Sequence, residues 1–220
     1  MQIDRNILLT GSTGFIGSHI LKRLKFRKIV CLGRTQPHNE NIDFFKSDLS
    51  KNEDFSSSLS DIDIVLHVAA RAHVLKENEN DPLSTYRKIN THASIHLAEE
   101  AAKNGVKRFI FISSIKVNGE TTKDHTKFTY DQEPNPQDDY ALSKLEAERG
   151  IKEVCLRTGM EFIIIRLPLV YGEGVKANFQ SLISIVKKGI PLPFYNLRNK
   201  RSFLSIENLI SILYLCLTKE

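Results

Sequence analysis

The stretch GSTGFIG at residues 11–17 decides the fold, because it stands between two different patterns. The apolar run NILLT, residues 6–10, is typical of a strand, and IGSHILKRLKF, residues 16–26, is helical. A glycine-rich turn from strand to helix lets backbone N–H groups approach a pyrophosphate, and the helix N-terminus adds a favourable dipole. The turn therefore predicts a dinucleotide site at the start of an α/β fold. The alternative is a glycine-rich turn without a ligand.

Outward from this turn, short apolar runs alternate with helical stretches. The strand-like runs are KIVCLG (28–33), DIVLHVAA (63–70), RFIFISS (108–114) and FIIIRLP (162–168). Because these runs are apolar on both faces and separated by helical patterns, they predict a Rossmann-type doubly wound parallel sheet over residues 1–168, with helices on both sides. Loop signals, one amphipathic helix and a basic loop follow, and they predict the start of a smaller substrate lobe over residues 169–220.

Composition narrows the class of protein. With 220 residues, 41% of them hydrophobic, the chain can bury a real core. No apolar run approaches the length of a membrane span and the N-terminus lacks a signal-peptide layout, so we expect a soluble, cytoplasmic protein. Cys31, Cys155 and Cys216 lie far apart without metal-ligand spacing and are expected to stay reduced. A net charge of +5 suits an anionic partner, but the basic C-terminal loop lacks a nucleic-acid motif.

The second strand bears on the choice of cofactor. An acidic residue about 20 positions beyond the glycine turn would grip the ribose 2′-hydroxyl of NAD. No Asp or Glu occurs between Gly17 and Glu40, and the strand instead ends in CLGRTQ, residues 31–36. Arg34 stands where a 2′-phosphate would lie, so the sequence favours NADP(H), with NAD possible. The alternative for Arg34 is an ordinary surface arginine.

A second motif, YALSK at residues 140–144, sets a phenol and an ammonium four residues apart. In a helix these side chains share one face and can reach a common ligand. By itself the pair is equally compatible with a solvated helix face.

Together with the glycine turn, HVAARAH (67–73), FISSIKVNG (111–119) and YALSK give the chain a family likeness. It resembles the extended short-chain dehydrogenases/reductases, and within them the NAD-dependent epimerase/dehydratase group that acts on nucleotide sugars. The segments SSIKVNGE, DDYALSKLEAE and RLPLVYGEGVKANF are similar to bacterial UDP-sugar 4-epimerase-like proteins and 4-ketoreductases of surface-polysaccharide synthesis. The likeness covers essentially the whole chain.

The resemblance implies roles for individual residues. The catalytic set is Ser114, Tyr140 and Lys144. The cofactor-binding set is Gly11, Thr13, Gly14, Phe15, Ile16, Gly17, Arg34, Asp48, Leu49, Ala69, Ala70, Arg71, Asn90, Tyr140, Lys144 and Pro168. The substrate-binding set is Ser114, Asn178 and Arg201, with Arg198 and Lys200 adding charge for the diphosphate. A homodimer built on the helix that begins at Tyr140 is also implied, and no metal is.

Two departures from the family pattern affect the substrate site. Asn118 stands where many relatives have an aromatic residue, which bears on the shape of the sugar pocket. The chain ends at Glu220, where relatives continue, so the lobe over 169–220 is expected to be truncated or abbreviated. His67, His73, His92 and His96 show no supported metal spacing and are expected to be structural or solvent-facing.

The chemistry expected of these residues is hydride transfer coupled to a proton. A free tyrosine, with a pKa of about 10, holds its proton too tightly to act as a base at neutral pH. Lys144 is expected to favour the phenolate of Tyr140, and Ser114 to hydrogen-bond the reacting oxygen. The same residues serve an epimerase acting at C4 of a UDP-sugar and a reductase of a 4-keto sugar. The alternative from another class is a non-catalytic NADP(H)-binding sensor.

Overall fold

The computed structural model describes residues 1–38, 42–51, 53–72, 81–122, 126–175, 184–189 and 200–219. Six parallel strands form the central sheet in the order β3-β2-β1-β4-β5-β6. They are β1 Gln2–Thr10, β2 Lys25–Gly33, β3 Asp43–Lys46, β4 Ile64–His67, β5 Arg108–Ser114 and β6 Glu161–Leu167. The order reverses between β1 and β4, so the predicted doubly wound Rossmann-type sheet is confirmed.

Helices connect the strands. They are α1 Phe15–Arg23, α2 Ser56–Leu59, α3 Pro82–Tyr86, α4 Ala93–Lys103, α5 Asp139–Thr158 and α6 Ile206–Thr218. A π-helical turn, Arg87–His92, joins α3 to α4. The strands β7 Leu169–Tyr171 and β8 Phe203–Ser205 form a separate parallel pair. Among the helices in the described part of the chain, none is both long and apolar enough to span a membrane.

The core consists of two apolar layers, one on each face of the sheet. Alternate residues of β1 supply both: Leu8 packs with α4 and α5, whereas Ile7 and Leu9 pack with α1 and α6. This is the alternation of side chains expected of a strand with two covered faces.

Helix α6 lies in the segment 169–220, which was predicted to begin a smaller lobe, and it packs against the central sheet. Its buried residues, among them Leu209 and Leu213, pack in the same apolar layer as Ile3 and Ile20. The pair Arg23 and Glu207, 2.9 Å apart, also joins α1 to α6. Helix α6 therefore helps to cover the sheet, and the division of the chain at residue 168 stays a prediction.

Helix α5 carries the YALSK motif and has clear ends. The Asp138 carboxylate accepts a hydrogen bond of 2.7 Å from the Ala141 backbone N–H, which caps the N-terminus. Gly159 ends the helix with φ of 78°, as glycine does at a left-handed C-terminal position. Capping fixes where the helix begins, and so places Tyr140 in its first turn.

Candidate active site

The glycine turn joins the end of β1 to the start of α1. Gly11 has φ of +71°, and a Cβ on it would lie 2.8 Å from the Ala69 backbone nitrogen. A Cβ on Gly17 would lie 2.1 Å from the Gly11 carbonyl oxygen. Gly14 instead has an ordinary φ of −75°, is exposed and is the N-cap of α1. The turn is thus a backbone surface at a helix N-terminus that no side chain fills, which fits a pyrophosphate.

The other residues of this turn take different roles. No side chain caps α1, so capping does not explain Ser12 or Thr13. Thr13 is exposed, and Ser12 is buried and hydrogen-bonded to the Cys31 thiol. Phe15 and Ile16 pack partly against the apolar layer under α1 and anchor the helix.

A buried hydrogen-bond network behind the turn is a feature that sequence reasoning missed. Ser94 donates to the Asn90 carbonyl, so its oxygen accepts from His67 Nε2 at 2.8 Å. His67 Nδ1 is then the acceptor for the Thr10 hydroxyl, 2.6 Å away. The Thr10 oxygen in turn accepts from the backbone of Ala69 at 3.1 Å. His67 is therefore a structural histidine, as expected, and it holds the loop after β4 against β1.

The same loop is held from the other side by Asn90. Its Oδ1 accepts from the Arg71 backbone N–H at 2.8 Å, and its Nδ2 donates to the Arg71 carbonyl at 3.1 Å and to Ser143. The π-helical turn lets Thr91 donate to the Ser143 carbonyl as well. Asn90 is fully buried, so it shapes the loop after β4 through Arg71, while Ala70 is exposed on that loop.

The ends of β2 and β3 bring the predicted adenosine-side residues together. Arg34 follows β2 directly and is exposed. Hydrogen bonds from Ser50 and, to a lesser extent, the charge of Arg34 hold the pKa of Asp48 below its ordinary value. Arg34 and Asp48 are therefore neighbours at the edge where a bound dinucleotide places its ribose. Leu49 packs partly into the core beneath them.

The catalytic pair predicted from sequence meets at the end of β5. The Ser114 hydroxyl lies near enough to the Tyr140 phenol to act on the pKa of the phenol. Ser114 also accepts from the Lys116 backbone N–H at 3.3 Å, which orients its hydroxyl. The ring of Tyr140 contacts that of Tyr86 edge-on, with 6.1 Å between centroids, and the Arg71 guanidinium lies 5.7 Å from the Tyr86 ring centroid.

The pKa of Tyr140 differs from the expectation. Burial of the phenol, and then the Asp138 carboxylate, raise its pKa to about 12, and the Ser114 hydrogen bond offsets only part of this. Burial and the Asp138 charge outweigh the neighbour that lowers the pKa, and the expectation that Lys144 favours the phenolate stays a prediction. At neutral pH the protein by itself presents a protonated phenol, which is a hydrogen-bond donor and a general acid.

Lys144 lies one turn further along α5 and is 1% exposed. Its Nζ lies 3.8 Å from the centroid of the Phe111 ring, a cation–π contact. Burial lowers its pKa to about 7, although Glu148 acts in the opposite direction. The side chain is thus poised between its charged and neutral forms near neutral pH.

Asn118, which departs from the family pattern, is buried and hydrogen-bonded through both polar atoms of its side chain. It is 3% exposed, its Oδ1 accepts from Arg166 at 3.0 Å and its Nδ2 donates to the Thr129 carbonyl at 3.0 Å. The Asn118 side chain therefore belongs to a buried polar network, and its effect on the sugar pocket stays a prediction.

The predicted substrate residues are only partly described. Arg201 and Lys200 are exposed next to β8, and Pro168 lies half-buried between β6 and β7. Asn178 and Arg198, like His73, lie outside the described residues. The joint substrate site expected of Ser114, Asn178 and Arg201 stays a prediction.

The remaining polar candidates have structural explanations. His96 Nε2 donates to the Glu53 carbonyl oxygen at 3.0 Å and the His96 ring contacts Phe55, whereas His92 is exposed. The three cysteines are free, and burial raises the pKa of Cys31 and Cys155 to about 11. Within the described ranges, no three His, Cys, Asp or Glu side chains cluster in a way that could hold a metal ion.

Comparison with known proteins adds a family match and two relatives. A family model described as the NAD dependent epimerase/dehydratase family matches residues 7–220. A UDP-glucose 4-epimerase of Vibrio cholerae is 45% identical over 98% of this chain and 67% of that protein. A putative UDP-glucose 4-epimerase of Methanocaldococcus jannaschii is 31% identical over 76% of this chain and 56% of its own length. The chain thus spans roughly half to two thirds of the length of these curated relatives.

Solved structures give the same picture of the fold. The UDP-glucuronic acid 4-epimerase of Bacillus cereus, in complex with UDP-glucuronic acid and NAD, superposes with a TM-score of 0.81 at 26% identity. That match covers 98% of this chain and 74% of the other. A UDP-N-acetylglucosamine 4-epimerase of Methanobrevibacter ruminantium, in complex with UDP-N-acetylmuramic acid, also has a TM-score of 0.81 at 26% identity, over 98% and 73%.

Proposed function

Because the chain belongs to the NAD dependent epimerase/dehydratase family, we propose that it transfers a hydride at C4 of a UDP-sugar, with Tyr140 as acid/base. The observation that carries this proposal is the placement of Tyr140 beside Ser114 at the end of strand β5, with buried Lys144 one turn away. The Vibrio cholerae relative and the solved complexes with UDP-sugars support the substrate class.

Each residue of the site has a separate role in the proposed hydride transfer. A bound nicotinamide dinucleotide would supply the hydride acceptor and donor, held by the glycine turn and by Lys144. Ser114 donates a hydrogen bond to the reacting sugar oxygen and stabilises charge on it. Tyr140 gives its proton to that oxygen in the reductive direction and takes it back in the oxidative direction. Because the protein alone raises the Tyr140 pKa to about 12, the oxidative direction needs positive charge beyond that of Lys144.

The choice between NAD and NADP(H) rests on Arg34. The family is NAD-dependent, and the Bacillus cereus structure is a complex with NAD, so the comparisons support NAD. The predicted preference for NADP(H) gains no support from them, and its argument is the exposed guanidinium of Arg34 beside Asp48. We therefore propose NAD as the cofactor, with NADP(H) as the alternative that Arg34 favours.

The reaction direction and the sugar belong to this proposal as well. We propose epimerisation, since relatives at both the sequence and the structural level are 4-epimerases by name. Reduction of a 4-keto UDP-sugar is the second candidate, and Arg34 favours it because reductases consume NADPH. A role in making surface-polysaccharide precursors and a homodimeric state are further proposals from the sequence likeness.

A single set of assays distinguishes the epimerase, the reductase and the non-catalytic sensor. Purified protein is incubated with UDP-glucose, UDP-N-acetylglucosamine and UDP-glucuronic acid, and the 4-epimers are measured by chromatography. Bound dinucleotide is released by denaturation and identified by mass. Epimer formation with retained NAD supports the proposal, whereas NADPH oxidation with a 4-keto UDP-sugar supports the reductase. Dinucleotide binding without either reaction would establish the non-catalytic sensor.

The role of Tyr140 is tested by Tyr140→Phe, with Tyr130→Phe as the matched control. Tyr130 is 96% exposed, so its hydroxyl can be removed without disturbing packing. We expect Tyr140→Phe to keep dinucleotide binding and to lose about 10³-fold in turnover, the usual scale for a lost acid/base. Turnover within a few-fold of the parent would contradict the assignment.

A further inference from the structure

The Glu148 carboxylate is buried, 5% exposed, and joins three elements behind the catalytic residues. The Ser113 hydroxyl on β5 donates to it at 2.5 Å. Arg166 on β6 donates to it from Nε at 3.0 Å and from Nη2 at 2.6 Å. Ser113 and Arg166 are register partners in the sheet, so one carboxylate of α5 ties the ends of two neighbouring strands.

Glu148 also lies one helical turn after Lys144, on the same face of α5. The charge of Glu148 raises the pKa of Lys144 and so favours the ammonium, whereas burial lowers that pKa. His67, from β4, has its pKa lowered to about 3, so it is neutral near pH 7 and does not oppose the ammonium there. Tyr140 is protonated and neutral as well.

The cation on the far side of Glu148 is Arg166. Its guanidinium pairs with the carboxylate and also donates to Asn118 at 3.0 Å. Charges therefore alternate from Lys144 through Glu148 to Arg166. Removing the middle charge would leave buried Lys144 and half-buried Arg166 without that anion, which is costly in a poorly solvated site.

We propose that Glu148 is a positioning residue for the catalytic site: it keeps Lys144 charged and fixes the strand end that carries Ser114. The role of Lys144 in this statement rests on the proposed function. The bland alternative is a purely structural ion pair between Glu148 and Arg166, which would affect stability and leave the charge state of Lys144 unchanged.

The test measures the titration of Lys144 directly. Protein carrying ¹³Cε-labelled lysine is titrated by NMR, and the Lys144 resonance is assigned with Lys144→Met. In Glu148→Gln the Lys144 pKa should fall by about one unit or more, because a neighbouring anion is lost. In Arg166→Gln it should rise, because Glu148 then faces Lys144 without a competing cation. Glu153→Gln, an exposed change on the same helix, should leave it unchanged.

Opposite shifts in Glu148→Gln and Arg166→Gln would support the proposal, since loss of packing cannot produce them. An unchanged Lys144 pKa in Glu148→Gln, or shifts of one sign in both variants, would overturn it. If Glu148→Gln does not fold, a fall or no change of the pKa in Arg166→Gln overturns the proposal on its own.

The titration also keeps the two proposals apart. In an active enzyme, the limb of the pH profile of kcat/KM that reports Lys144 should move to lower pH in Glu148→Gln. A protein that turns over none of the UDP-sugars, yet shows the opposite pKa shifts, would refute the proposed function and support the link from Glu148 to Lys144.

Discussion

Acid should destabilise this protein through His67 in particular. The side chain is 1% exposed and both ring nitrogens are hydrogen-bonded, with Nδ1 as an acceptor. A second proton on the ring would break the hydrogen bond that Nδ1 accepts. Burial, and then the charge of Lys144, lower its pKa from 6.5 to about 3. Because the folded-state pKa is depressed, the unfolded chain binds more protons between these values, and stability is lost as the pH falls through that window.

The size of the effect follows from the two pKa values. One pKa unit corresponds to about 1.36 kcal/mol, so His67 should cost roughly 2.7 kcal/mol of folding free energy between about pH 7.5 and about pH 4.5. Urea unfolding is measured across this range for the parent, His67→Gln and the exposed control His92→Gln. The carboxylates contribute equally to all three proteins, so the difference between the parent and His67→Gln isolates the histidine.

We expect the stability advantage of the parent over His67→Gln to shrink by that amount as the pH falls, while His92→Gln follows the parent. A difference between the parent and His67→Gln that stays constant with pH would refute the reasoning, because it would mean that the folded protein accommodates the imidazolium.

Three further changes probe other parts of the site. Gly17→Ala should cost about 3 kcal/mol of stability and most of the dinucleotide affinity, because the added Cβ would overlap backbone atoms. Unfolding and binding assays measure both effects. Gly33→Ala is the control, since a Cβ at Gly33 meets no atom within 4 Å. Asp138→Asn keeps a good helix cap but removes an anion beside Tyr140, so the alkaline limb of the pH profile assigned to Tyr140 should move to lower pH; an unmoved limb would contradict the cause given for its raised pKa. Arg34→Ala should lower the ratio of NADPH to NADH affinity if Arg34 selects the cofactor, and an unchanged ratio in binding titrations would remove the argument for NADP(H).

The sheet and its glycine turn could be predicted from the sequence because five of the six strands lie in apolar runs that helix signals separate. Strand β3 has only four residues, DFFK, and is partly exposed, so its pattern is weak. The π-helical turn is equally hidden, since an apolar pattern with a period of 3.6 does not reveal one extra residue per turn. Helix α6 is strongly apolar, but periodicity cannot say which core such a helix joins.

The buried network around Glu148 was not predicted, because its glutamate sits in a run that reads as a solvated helix face. The available signal was Arg166, a charged residue in the middle of the apolar strand pattern FIIIRLP. A guanidinium that is largely withdrawn from solvent needs an anion, so an arginine at that position indicates an acidic partner on a helix that covers the sheet. Sequence alone could not choose which carboxylate of α5 it would be.

The pKa values of Lys144 and Tyr140 imply that proton binding and ligand binding are coupled at this site. Lys144 has its pKa lowered to about 7, so near neutrality a substantial fraction of the ammonium has lost its proton. Any ligand whose hydroxyls accept hydrogen bonds from the ammonium stabilises the charged form, and by linkage it must bind more tightly as the pH falls toward that value. Tyr140, with its pKa raised to about 12, keeps its proton throughout this range. Under the proposed function, the lysine is therefore the group that titrates on cofactor binding, and the tyrosine is the group that moves a proton in the reaction.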